Sequence, residues 1–365
     1  MTFPLIIGFL VRLAFLGKHA FWFDEKASVH VASQAMPFFF QVAASDTHPP
    51  FYFLLLKLWF LMSSDVIFAR LLSLVFGTAS LFIAYKLFRM VANQKVASFA
   101  TVLLALSPLH IYYSTQIRMY SLLVFETLSL VWYVLNFLKK RQNAYLFSII
   151  LVGIASVYTH YYAFLVILSV NVLFFMKNKN RSRIKPWMFA QLAILAAWMP
   201  WFLFALKFPK PACWCFSPII GVPVTFTSFI VGGVGLVTIK DILSFAPAYI
   251  LWFFAISIFF LHWLFFVGLK KAISTPMGPA VVLLGTPIAI AATVGLFAPI
   301  FSPRALIFTS PFFYLIVARG IYSAKDTKLT HVIQCIVLIV FVIINILEFA
   351  HPFFSQPLPI KNYLL

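Results

Sequence analysis

The chain has 365 residues, 63% of them hydrophobic and only 10% charged, with a mean hydropathy of +1.02. A soluble domain carries about 25% charged residues, so the charges here are too few to coat a water-soluble surface, and disordered, collagen-like and disulfide-scaffold chains are excluded with it. The 27 basic and 8 acidic residues leave a net charge of +19, but the basic residues sit in short loops between apolar segments. That is the positive-inside pattern of a polytopic membrane protein rather than a nucleic-acid-binding face. Three cysteines are too few for a disulfide framework or a zinc site. Cys213 and Cys215 flank a single Trp, a spacing that strains a disulfide, and all three cysteines read as structural.

Crossing a hydrocarbon core of about 30 Å takes roughly 20 apolar helical residues. A short first span is predicted at 3–17, retained because no convincing cleavage site follows it. Residues 18–65 form a long first outside loop. Within it, 26–45 and 49–62 are apolar but too short to cross, and they read as helices lying in the outer interface. Further spans are predicted at 66–88, 96–112, 118–138, 143–160, 161–177, 187–206, 246–269, 279–299, 305–322 and 330–350. The fold class is therefore an all-α polytopic membrane protein of about eleven transmembrane helices, in a single transmembrane domain over 1–365. Basic clusters at 86–95, 139–141, 177–185, 270–271 and 325–328 hold more than half of the 27 basic residues and mark the cytoplasmic side. The outside receives the first loop, 112–118, the turn at 159–161, a second large loop at 207–245, 299–305 and the tail. No internal repeat is evident, which argues against repeat-built transporters. No soluble C-terminal domain is expected.

With only eight acids, their positions carry information. Asp24 and Glu25 follow Phe21-Trp22-Phe23. A carboxylate beside an aromatic run at a membrane surface is partly desolvated and more basic, which suits a general base; a hydrated loop acid paired with Lys26 is the plain alternative. Asp46 and His48 precede Pro49-Pro50, which holds them extended ahead of a helix. His48 could donate to a phosphate oxygen or simply face solvent beside a helix cap. Arg118, in Tyr112-Tyr113-Ser114-Thr115-Gln116-Ile117-Arg118-Met119-Tyr120, re-enters the membrane from outside. It either snorkels or grips a phosphate. His160 lies between tyrosines, including Tyr161, at another outside turn, and Arg304 opens a late span after Ser302-Pro303. Arg12 and Arg70 snorkel or pair, and Glu126 is an intramembrane acid expected in a structural pair. Lys207, Lys210 and Lys240 face anionic lipid or substrate. The 45 phenylalanines read as lipid-facing and packing residues.

Phe-Asp-Glu after the first span, Asp-x-His-Pro-Pro before Phe-Tyr-x-Leu-Leu, Tyr-Tyr-Ser-x-x-x-Arg-Met-Tyr-Ser-Leu, Tyr-Thr-His-Tyr-Tyr and a late Pro-Arg occur here in one order. With these motifs the chain resembles the GT-C superfamily of integral-membrane glycosyltransferases, and more narrowly the bacterial relatives of protein O-mannosyltransferases and lipid A aminoarabinose transferases. The resemblance spans about 1–325 and is most specific over 12–162. It implies a GT-C fold and an inverting transfer from a polyprenyl-phosphate sugar to an acceptor hydroxyl. The reaction would take place on the periplasmic or extracellular side of the inner (plasma) membrane.

On that resemblance Asp24 is the base, with Glu25 and Asp46 beside it as catalytic carboxylates. His48, Gln116, Arg118, Tyr120, His160, Tyr161 and Arg304 would contact substrate. Many relatives carry an acid where Gln116 stands, so a role that needs a carboxylate there is not expected. A cofactor is not required, although a divalent ion on Asp24, Asp46 and His48 fits by ligand type. The expected partners are the polyprenyl-linked donor, a glycan, lipid or protein acceptor, and membrane lipid, with no nucleic acid. The alternative reading is a transporter or flippase of lipid-linked sugars.

Overall fold

The computed structural model describes residues 2–350 apart from 141, 179, 212–214, 233–247 and 325, with 348–350 as helix only. The described residues contain helices and no strand. Seven helices are long and apolar enough to cross a membrane: Val66–Val91, Tyr120–Lys140, Arg181–Ala205, Ala248–Ile273, Gly278–Gly295, Pro303–Ile321 and Thr327–Leu347. An eighth span is the pair Gln94–Leu106 and Pro108–Ser114, bent by 56° at its break. The other three spans expected from the sequence fall on shorter apolar helices, α1 (Thr2–Phe15), Asn143–Thr159 and Ala163–Lys177. Large side chains such as Trp252, Phe259 and Phe266 stay exposed along the bundle. In a lipid solvent such a surface carries no penalty.

The first outside loop folds into three short helices, α2 (Phe23–Ser33), α3 (Met36–Ser45) and α4 (Phe51–Trp59). Phe39, Phe53 and Leu56 anchor them in the core. Pro50 stands directly before α4, as the Pro-Pro dipeptide predicts. The second large loop contains a feature hidden in the sequence, the 14-residue apolar helix Pro218–Val231. Lys240 and Cys213 lie outside the described residues. Cys215 is disulfide-bonded, whereas Cys335 is free and exposed.

Three buried clamps position the site. Ser107-Pro108 breaks the 94–114 segment, because proline supplies no N–H to continue the helix. Arg12 of α1 fills the gap, donating from Nη1 to the Ala105 carbonyl (2.9 Å) and from Nε to Ser114 Oγ (3.1 Å). Asn345 donates to the neighbouring Leu106 carbonyl at 2.8 Å. Ser114 lies so close to the helix 66–91 that a Cβ at Gly77 would stand 2.1 Å from its Oγ, which only glycine permits.

The second clamp fixes the short helix 108–114 from below: Ser107 Oγ meets Tyr314 Oη at 2.6 Å and His110 Nε2 meets Ser310 Oγ at 2.7 Å. The third is the pair Glu25–Arg70, with Arg70 Nε and Nη2 donating to the two carboxylate oxygens at 2.9 and 2.8 Å. Arg70 also donates to the carbonyls of Leu16, His19 and Ala20. Glu25 accepts from the backbone N–H of Trp22 and of Ile117. Both members are buried and fully partnered, so the expectation for Arg70 resolves to pairing.

Removing one member of such a pair strands the other charge. Glu25→Ala is expected to cost about 3–5 kcal/mol, measured by chemical or thermal unfolding in detergent. Adding Arg70→Leu to it should recover part of that loss. A single variant as stable as wild type would remove the pair from its structural role.

Candidate active site

Five separate pieces of chain meet at one end of the bundle. Asp24 occupies the first turn of α2, where the helix dipole favours an anion. Asp46 ends α3 and His48 follows it. Arg118 lies on the turn that joins the short helix 108–114 to the span 120–140, which Tyr120 opens, and His160 caps the helix 143–159. Arg304 lies in the 3-10 turn Pro303–Thr309. That turn is tied back across the site, where Tyr162 Oη donates to the Ile300 carbonyl and accepts from Ser302 N at 2.8 Å.

At the centre, Arg304 Nη1 donates to Asp24 Oδ2 at 2.8 Å. Asp24 Oδ1 has no hydrogen-bond partner among the described residues. These two side chains keep 24% and 20% of their surface exposed, whereas Arg118, His48 and His160 are buried. The accessible charged groups of the site are thus Asp24 (24%), Arg304 (20%) and Asp46 (16%). Arg118 Nη1 donates to the Asp24 carbonyl and to Ser28 Oγ, both at 3.1 Å, and Nη2 approaches His48 Nδ1 at 3.3 Å. The Arg118 carbonyl accepts from Ser73 Oγ, which Tyr52 Oη contacts in turn. Arg118 is thus buried and locks its turn to α2 and His48; it does not snorkel.

Asp46 Oδ1 accepts from the backbone N–H of His48 at 2.9 Å and stands 3.0 Å from its Nδ1. His48 is thus buried and oriented, not solvent-facing. The rings of His48 and His160 meet edge-on at 4.9 Å, and Tyr120 packs on both, at 6.4 and 5.9 Å. His160 Nδ1 accepts the Tyr162 N–H at 3.0 Å. Tyr161 lies under Lys210, which donates to the carbonyls of Ala44 and Asp46. Gln116 is buried beside Arg118, with its carbonyl accepting the Arg118 N–H. Glu25, expected beside Asp24 as a catalytic carboxylate, turns the other way to Arg70.

Electrostatics departs from the expectation of a more basic Asp24. Burial pushes the carboxyl up, but Arg118 and Arg304 outweigh it and hold Asp24 below the ordinary carboxylate value. Asp46 is likewise raised by burial and lowered further by His48 and Arg118, to about 2. Burial together with Arg118 lowers His48, and burial together with His48 and the two guanidiniums lowers His160 well below the usual imidazole range. At neutral pH the cluster is two carboxylates, two guanidiniums and two neutral imidazoles. With its Nδ1 accepting, His160 carries its proton on Nε2. Among the described residues no three His, Cys, Asp or Glu side chains form a metal-ligating group. Asp24 is committed to Arg304 and Asp46 to His48, so the acids as arranged do not fit a divalent ion.

Sequence reasoning missed Ser28, Ser73 and Tyr162. Only Tyr162 carries a local signal, as the last residue of the Tyr-Thr-His-Tyr-Tyr run; the serines are found by geometry alone.

Residues 47–204 match the family model of dolichyl-phosphate-mannose-protein mannosyltransferase. No curated protein matches the chain. Among solved structures, ArnT from Cupriavidus metallidurans is similar at a TM-score of 0.62 and 13% identity, over 95% of this chain and 64% of that one. ArnT bound to undecaprenyl phosphate is similar at 0.59 and 13% identity, over 95% of this chain and 63% of that one. The Archaeoglobus fulgidus oligosaccharyltransferase in complex with Zn and sulfate is similar at 0.60 and 13% identity, over 95% of this chain and 53% of that one. The chain thus spans less than two thirds of the length of the solved proteins it matches. The chain has the fold of the GT-C membrane glycosyltransferases.

Proposed function

We propose that the protein transfers a sugar from a polyprenyl-phosphate donor to an acceptor hydroxyl, with inversion, on the outer side of a plasma membrane. The observation that carries this reading is Asp24, with one carboxylate oxygen held by Arg304 and the other open, beside the buried Arg118–His48–His160 group. The match to a dolichyl-phosphate-mannose transferase family and the likeness to a structure bound to undecaprenyl phosphate support a lipid-phosphate donor. The outer side is supported by charge. Helices leaving the site end carry Arg89, Lys139 and Lys140, Lys177, or Lys270 and Lys271 in their last turns.

In this mechanism the acceptor oxygen attacks the anomeric carbon while its proton passes to Asp24 Oδ1. The bond from that carbon to the phosphate oxygen breaks, and its electron pair leaves with the lipid phosphate. A phosphate leaving group needs charge stabilisation more than protonation, which Arg118, Arg304 and the Nε2–H of His160 supply. Donor phosphate competes for Arg304, and any weakening of that contact makes Asp24 more basic as the substrate arrives. Asp46 holds His48 in place, Tyr120, Gln116 and Tyr161 line the substrate path, and Glu25 is a positioning residue.

The test is purified protein in liposomes with labelled polyprenyl-phosphate sugars. Asp24→Asn should lower sugar release by about 10²–10⁴-fold, the usual worth of a general base, while retaining donor binding. Arg118→Gln should weaken donor binding by about 10–100-fold, as expected for a charged hydrogen bond lost. Wild type that moves labelled lipid across the bilayer without cleaving it would replace the transferase by a flippase.

The pH profile follows from the direction of the Asp24 shift. A carboxyl held below its ordinary value stays ionised on acidification, so kcat/KM should remain flat down to about pH 4. Arg304→Gln removes a cation and should move that acid limb to higher pH. Turnover is also expected to survive excess chelator, since the acids do not fit an ion; loss of activity restored by a divalent cation would reverse this assignment.

A further inference from the structure

Glu126 lies within the span Tyr120–Lys140 and is buried. An ionisable side chain at membrane depth is costly and calls for a functional account. The structural ion pair expected for it does not form: among the described residues no cation contacts it. Its Oε1 instead accepts from Thr159 Oγ1 at 2.8 Å, and its Oε2 is buried without a partner. Thr159 is the last residue of the helix Asn143–Thr159, and the next residue is His160.

The two helices joined by this contact are those that deliver rings to the site. Tyr120 opens one, six residues or roughly 9 Å from Glu126 at 1.5 Å per residue. His160 ends the other, and the two rings stand 5.9 Å apart. Apart from its ring contacts, the hydrogen bonds of His160 are short-range links, with its N–H donating to Ser156 O, its Nδ1 accepting from Tyr162 and its carbonyl accepting from Ala163. None of these ties it to the span 120–140. We infer that Glu126 is a positioning residue for the transfer reaction: through Thr159 it sets the height and angle at which His160 meets His48, Tyr120 and the substrate. This rests on the proposed function for the meaning of His160, but the mechanical link stands by itself.

The experiment compares Glu126→Leu, Glu126→Gln and Thr159→Val in lipid nanodiscs by two measurements. The first is hydrogen exchange at the amides of 160–163, which needs no substrate. The second is kcat and KM with a polyprenyl-phosphate sugar. Glu126→Leu and Thr159→Val should each speed exchange at these amides and lower kcat by about 10–100-fold, the usual effect of an ångström-scale misplacement, with KM little changed. Glu126→Gln, which keeps an acceptor oxygen, should behave as wild type. In a His160→Ala background neither substitution should lower kcat further. Unchanged exchange in Thr159→Val overturns the link even if Glu126→Leu cannot be recovered folded. A full kcat loss persisting in His160→Ala shows that Glu126 acts elsewhere. Faster exchange with no turnover by wild type keeps the link and removes the transferase reading instead.

Discussion

The site depends on one desolvated ion pair. Glu25 and Arg70 make two charge-assisted hydrogen bonds to each other, and the remaining valences of both are spent on backbone groups from three places: the end of α1, the start of α2 and the turn before the span 120–140. Because neither group can leave water without full compensation, the pair is satisfied in only one arrangement of those segments. That arrangement puts Asp24, one residue before Glu25, and Arg118, one residue after Ile117, on the same side of the cluster. Glu25, the residue beside Asp24, therefore matters as a fixture, with both carboxylate oxygens engaged.

Charge balance explains the protonation states. Each acid of the cluster has a cation or imidazole against it, Asp24 with Arg304 and Asp46 with His48, and the second guanidinium lies between them. Burial alone would raise both carboxyls, but the guanidiniums and His48 reverse it. The same cations, added to burial, keep both imidazoles neutral. On the proposed reading, Asp24 held ionised is ready as a base at any physiological pH, and its basicity depends on what an arriving phosphate does to its partners.

The transmembrane character, most helix positions and the charged and imidazole groups that the fold gathers around Asp24 stood out in the sequence. Hydropathy reports depth, and rare charged residues in an apolar chain stand out. What could not be read is of two kinds. Pairings across long stretches of sequence, such as Arg304 with Asp24 or Arg70 with Glu25, leave no local signature; Glu25 therefore passed for a second catalytic acid. Desolvation beside Phe21-Trp22-Phe23 was visible, but the guanidiniums that overturn its effect on Asp24 come from residues 118 and 304. The helix 218–231 was hidden for a different reason: its internal Pro223 and the glycines around it read as loop, yet tertiary packing against the 108–114 helix and the 303–309 turn stabilises it.

The placement of polar groups along the helices bears on catalysis against transport. A carrier holds its ligand near the middle of the bilayer, in the breaks of discontinuous helices. This protein has such a break, at Ser107-Pro108, but Arg12 and Asn345 take up its freed carbonyls, and Ser107 and His110 are bonded to Tyr314 and Ser310. The break is filled by protein, and its effect is to turn the chain so that the following residues reach Asp24. Asp24, Asp46, His48, Arg118, His160 and Arg304 all come from helix ends or the turns between them, and all meet at one end of the bundle. On the proposed reading, an apolar tail remains in the lipid beside such a site while its phosphate meets the guanidiniums and a water-borne hydroxyl reaches Asp24, which a transfer at the membrane surface requires.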